Sequence, residues 1–202
     1  KPIPISVPGS EKIKTIQAVD LLLNPKEAEG SKKIVIIGGG VVGCETAYWL
    51  KYEHKKDVTV VEMLPYFMKG VCTANRGYLI YYMQKAGVKL LNCAKLIGLD
   101  SGKAIVEQNI SKGVPNPYNT WQPILPENIP NPLAKKIGNE SKKLELETDL
   151  IVFAVGNKTD DNLYFSAQVA NIVPEIYNIG DSSFTGKVLE ATRAAERLAV
   201  GI

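Results

Sequence analysis

The spacing of apolar positions changes several times along this chain, and each change marks a predicted element. Lys33-Ile34-Val35-Ile36-Ile37 is a β-branched run that reads as a strand. It enters the turn Gly38-x-Gly40-x-x-Gly43 and then a helix from about Val41 to Tyr52. A second strand, Asp57-Val58-Thr59-Val60-Val61, ends at Glu62, 24 residues after Gly38. Pro65 and Gly70 mark a loop, and a helix from about Thr73 to Ala86 carries Tyr78, Leu79, Tyr82 and Met83 as a stripe that reads as core. Gly87 stops this helix, and Val88-Lys89-Leu90-Leu91 reads as the next parallel strand.

The flanks follow other patterns. Residues 1–31 read as extended and then helical, with Ser10 capping a short helix through Leu23 and Asn24-Pro25 ending it. Short strands are predicted around 95–99 and 104–107, joined by Asp100-Ser101-Gly102, and again at 142–146. An apolar strand, Asp149-Leu150-Ile151-Val152-Phe153-Ala154-Val155, runs to Gly156. Residues 109–140 interrupt this order with Pro, Asn and Gly. They read as an insertion, a partner-facing flap or, by preference, a long surface loop anchored by Trp121. Toward the end, Glu175-Ile176-Tyr177-Asn178-Ile179 reads as a strand leading to Gly180-Asp181, followed by a helix over about 188–200.

Composition narrows the function. With 24 basic and 21 acidic residues the net charge is +3, and no basic stripe alternates with aromatics, so nucleic acid is not indicated. No apolar run approaches the ~20 residues of a membrane span, and the chain reads as cytosolic. A start at Lys1-Pro2 without Met suits a piece of something longer. Cys44, Cys72 and Cys93 form no Cys-x-x-Cys pair, and Cys44 reads as a small buried packing residue. His54, among Lys51, Glu53, Lys55 and Lys56, reads as a solvated helix terminus and a poor catalytic base.

The glycine turn carries the chemistry. In a strand–turn–helix unit, Gly38 permits the tight turn, Gly40 lets a pyrophosphate approach the backbone, and Gly43 lets the helix lie close to the strand. The helix start at Val41 and Val42 then offers amides and the positive dipole end to the phosphates. Glu62 is placed to accept hydrogen bonds from an adenosine ribose and to repel a 2′-phosphate. Met63, Leu64, Pro65, Tyr66 and Phe67 after it supply no cation, so NADH is expected over NADPH.

Gly38-x-Gly40-x-x-Gly43-x-Glu45, Glu62, the strand ending Ala154-Val155-Gly156, and Ile179-Gly180-Asp181 before a closing helix together resemble the pyridine nucleotide-disulfide oxidoreductase superfamily. The likeness is strongest to the C-terminal region of the old-yellow-enzyme-related NADH:flavin oxidoreductases, which include 2-enoate reductase, 2,4-dienoyl-CoA reductase and trimethylamine dehydrogenase. The resemblance implies an α/β fold: a Rossmann-like three-layer dinucleotide-binding domain with a β-meander, flanked by part of a split FAD-binding domain. It assigns 32–156 to the NADH-binding domain, and 1–31 with 157–202 to the FAD half.

It further implies that Glu45 is the acid near the nicotinamide, that Val155 and Gly156 pass close to the cofactor, that Asp181 beside Gly180 meets a flavin ribityl hydroxyl, and that the amides near Val188 face the flavin; Met63, next to Glu62, is expected among the cofactor-binding residues. Hydride would pass from NADH to FAD, and flavin-binding and barrel domains of a longer parent chain would reduce an activated alkene or another acceptor. The chain departs from the family pattern in lacking the first glycine-rich motif, the barrel and its cluster cysteines, and in having Val155 where Thr is usual. The alternative function is a non-catalytic dinucleotide-binding module or redox sensor.

Overall fold

Alternation within three short strands builds the centre of the molecule. In the computed structural model, which describes residues 1–122, 125, 129 and 131–201, β2 (Lys33–Ile37), β3 (Asp57–Val61) and β8 (Leu150–Phe153) lie in one sheet. Successive side chains of a strand point to opposite faces. Ile34, Ile36, Val58, Val60, Leu150 and Val152 therefore join one core, and Val35, Val61, Ile151 and Phe153 join another.

The sheet has five parallel strands in the order β1-β8-β2-β3-β4, with β1 at Lys14–Gln17 and β4 at Lys89–Leu91. One face is covered by α1 (Ala18–Leu23), α2 (Val41–Tyr52) and α3 (Thr73–Ala86), through Leu21, Cys44, Ala47, Leu50, Ile80 and Met83. The other face is covered by an antiparallel meander, β5 (Ala94–Asp100), β6 (Lys103–Asn109) and β7 (Ser141–Glu147), through Leu96, Leu99, Ala104 and Val106. This is the expected three-layer α/β arrangement with its meander.

Two compact units result. The first is Ile5–Val155, and the second is Lys1–Pro4 with Gly156 onward. Within the second, Pro2 bridges Asn157, the Ile3 amide donates to the Gly156 carbonyl, and α4 (Asn162–Val169) and α5 (Val188–Gly201) follow. None of its described residues is buried.

The structure corrects several sequence expectations. The stretch expected as one helix from Ser10 to Leu23 is a 3-10 turn at Ser10–Lys12, then β1, then α1. Pairing of Thr15 with Ile151 and Ile16 with Val152 overrides the local pattern, because the outer edge of β8 needs a partner for its backbone. Residues 5–31 fall within the first unit, where β1, Ala18 and Leu21 join its sheet and core. The strand expected at Glu175–Ile179 pairs with none among the described residues, and α4 stands where none was expected.

Tyr78 lies outside the core, in a surface row of rings with Tyr82 and Tyr48, while Ile80 and Met83 face inward. Trp121 is 57 % exposed and belongs to neither buried core among the described residues. The insertion is fastened by Tyr118 instead, whose hydroxyl donates to the Val88 carbonyl at 2.9 Å and accepts the Leu90 amide at 3.1 Å at the sheet edge. Residues 123, 124, 126–128 and 130 of the insertion lie outside the described residues.

Among the described residues no helix is long and apolar enough to cross a membrane.

Candidate functional site

The chain leaves β2 toward β3 on one side, while β8 lies on the other, so the strand order reverses at the carboxyl end of β2. Open α/β sheets bind ligands in the crevice at such a point. The glycine turn occupies it.

Each glycine there answers a different constraint. Gly38 has φ +107°, and a Cβ on it would stand 2.4 Å from the Ala154 carbonyl oxygen and 3.2 Å from the Val155 nitrogen. A Cβ on Gly43 would stand 2.0 Å from the Gly38 carbonyl oxygen, so α2 lies directly against the turn. Gly40 differs. Its backbone is extended (φ −69°, ψ −173°) and an added Cβ meets nothing within 4 Å. The protein itself places no steric demand for glycine at this position.

Gly40 is also the N-cap of α2 and makes no side-chain cap. The first intrahelical bond runs from the Cys44 amide to the Gly40 carbonyl at 3.0 Å, so the amides of Val41, Val42 and Gly43 precede the helix ladder. Open space over Gly40 beside three such amides, at the positive end of a 12-residue helix, fits a pyrophosphate. The residues present therefore fit a dinucleotide.

Glu62, at the end of β3, is 8 % exposed. Its Oε2 accepts the Gly39 amide at 2.6 Å and its Oε1 the Leu64 amide at 2.7 Å. Gly39 is held from a second side, since its carbonyl accepts the Met68 amide at 2.8 Å and the Cys44 thiol at 3.4 Å. A Cβ on Gly39 would meet the Phe67 ring at 2.3 Å and the Glu62 Cβ at 2.9 Å. Sequence reasoning missed this residue, because Gly39 occupies a variable position of the motif. Burial pushes the Cys44 thiol pKa above its ordinary value, which suits a packing and donor role rather than a nucleophile.

Arg76 was also missed. It is 2 % exposed, and its guanidinium donates to the carbonyls of Phe67 (2.9 Å), Asn119 (3.0 Å) and Thr120 (3.3 Å). It thereby ties the loop under Gly39 to the start of the insertion. Burial lowers its pKa from the ordinary range, although a guanidinium stays charged.

Of the residues expected at the site, Gly38, Gly40, Val41, Val42, Gly43, Glu62 and Val155 converge at the carboxyl ends of β2, β3 and β8, with Met63 exposed beside Glu62. Glu45 is exposed on the first turns of α2. Gly156 opens the second unit with φ +95°. Gly180, Asp181 and Val188 also belong to that unit. There Asp181 Oδ1 accepts the Gly186 amide at 3.1 Å, the Glu190 carboxylate accepts the Lys187 amide at 2.8 Å, and Val188, which opens α5, is 79 % exposed.

A Rossmann-like sheet with a glycine turn and a terminal acid defines a dinucleotide-binding class of protein. Residues 1–117 match the family model for pyridine nucleotide-disulphide oxidoreductases, and the chain belongs to that family. It is 27 % identical over 202 residues to an NADH oxidase of Thermoanaerobacter brockii, covering 98 % of this chain and 26 % of that protein. Over 82 residues it is 40 % identical to a cinnamate reductase of Clostridium sporogenes, covering 39 % of this chain and 12 % of the other. Among solved structures, 2-naphthoyl-CoA reductase in complex with 2-naphthoyl-CoA shares the fold, with a TM-score of 0.72 at 22 % identity, covering 100 % of this chain and 26 % of that one. The chain thus spans about a quarter or less of the length of these relatives.

Proposed function

We propose that this chain is the NADH-binding part of a flavin-dependent oxidoreductase. The observation that carries the reading is Gly40: a glycine whose added Cβ would meet none of the described residues within 4 Å, with three helix-start amides beside it. Glu62 would receive the adenosine ribose on the lone pairs left by its two backbone bonds, and its charge would repel a 2′-phosphate. Glu45 and Met63, both exposed near the turn, would line the nucleotide, and Val155, beside Gly38, would lie against it.

NADH supplies a hydride and FAD accepts it, chemistry that belongs to the cofactors. The chain's own part is to bind and orient. Gly180, Asp181 and the start of α5 at Val188 would contribute to the FAD half, which lacks a glycine-rich phosphate turn in residues 157–202 and would be completed by further domains of a longer parent chain. Likeness to a cinnamate reductase supports an activated alkene as the final acceptor.

Calorimetric titration with NADH and NADPH tests the reading on the wild type and on Gly40→Val. The wild type should bind NADH more tightly than NADPH. The variant should remain folded, because a Cβ at this position meets nothing within 4 Å, and should lose binding through exclusion of the pyrophosphate. Unchanged NADH affinity in Gly40→Val would remove the site from this turn.

A further inference from the structure

We infer that Glu62 is also a positioning residue for the phosphate turn, acting through the Gly39 peptide groups; this rests on the proposed dinucleotide reading of the same site. Both carboxylate oxygens are engaged on backbone donors: Oε2 holds the Gly39 amide at 2.6 Å, and Oε1 holds the Leu64 amide at 2.7 Å. One side chain thus fastens the phosphate turn to the start of the loop that follows β3. That loop returns underneath, where the Met68 amide holds the Gly39 carbonyl at 2.8 Å and the Phe67 ring fills the space a Gly39 Cβ would need.

The peptide after Gly39 is planar and trans, so fixing its carbonyl on Met68 aims the Gly40 N–H in the opposite direction. The turn is consequently set before any ligand arrives. Met68 adopts a left-handed backbone (φ +52°) while buried, a conformation uncommon for a side-chain-bearing residue and kept only where its surroundings impose it. Such preorganisation lowers the ordering cost of binding.

The role is separable from ribose binding, because the ribose touches Glu62 directly whereas the turn reaches the diphosphate. Glu62→Gln is the discriminating variant. Its amide has one acceptor oxygen for two N–H donors, so its own NH2 must face either Gly39 or Leu64. Titrations of wild type and Glu62→Gln with NADH are compared with titrations using the NADH analogue whose adenosine ribose lacks both hydroxyls. The expected result is a loss of about tenfold in the variant for both ligands, one buried donor being left without an acceptor.

A loss confined to NADH, with none for the deoxygenated analogue, would overturn the positioning role while leaving the proposed site intact. Wild-type protein that binds neither ligand would sink the proposed function instead. Should the variant fail to fold, hydrogen exchange of the ligand-free wild type decides the question: the Gly39 and Leu64 amides, both held by the Glu62 carboxylate, should be protected. If both exchange freely, the inference falls.

Discussion

Between Ile5 and Val155 the sheet is apolar on both faces and both faces are covered, whereas no described residue from Gly156 onward is buried. The second unit still carries Leu163, Phe165, Val169, Ile172, Phe184, Val188 and Leu189 as exposed side chains. Ordering a residue costs about 1–2 kcal/mol in backbone entropy, which apolar burial has to offset. The first unit meets that requirement with two cores. The second, among its described residues, has none. Every element of the candidate phosphate site, Gly38 through Gly43 and Glu62, belongs to the first unit.

The sharpest way to break this comparison is to empty the first unit under its site. Phe67 is fully buried and is the ring against which Gly39 packs. Phe67→Ala should cost about 3–5 kcal/mol in urea denaturation, from lost transfer energy and the cavity left behind. Its NADH affinity should fall as well, because Gly39 loses its floor. A cost under about 1 kcal/mol would mean that the two cores are looser than their burial implies.

A smaller effect is expected at Arg76. Replacement by Met keeps much of the aliphatic stem but leaves the carbonyls of Phe67, Asn119 and Thr120 without their donor. About 1–3 kcal/mol should be lost, and the Asn119 and Thr120 segment should exchange its amide hydrogens faster. Unchanged exchange there would show that Arg76 does not fasten this segment.

These two residues also show where the sequence stops being legible. The β2–turn–α2–β3 unit and Glu62 were readable because their signals are local: a β-branched run, glycines at fixed spacing, and an acid at a strand end. Gly39 was not readable, since its need for glycine comes from Phe67, brought beneath it by a loop with no repeat or motif. An arginine in a helical pattern reads as solvated, and the partners of Arg76 are carbonyls, which leave no mark in side-chain composition. β1 was read as helix because four residues carry too weak a pattern to outweigh their neighbours, and their pairing partner lies beyond position 149. In the second unit, an exposed apolar segment such as Glu175–Ile179 reads as a strand even though no described residue pairs with it.

The smallest effect is expected in the second unit. Val169 closes α4 and is 88 % exposed. Valine and serine differ little in helix propensity, so only burial could make their exchange expensive. Val169→Ser should therefore change stability by less than about 0.5 kcal/mol, the range of surface substitutions. Measuring it at two protein concentrations tests the comparison from the other side. If the variant is destabilised by an amount that grows with concentration, Val169 is covered by a second molecule, and the contrast between the units belongs to the single chain alone. If the effect is near zero at both, α4 presents an apolar side chain to solvent, and the contrast between the two units stands in solution as it does in the single chain.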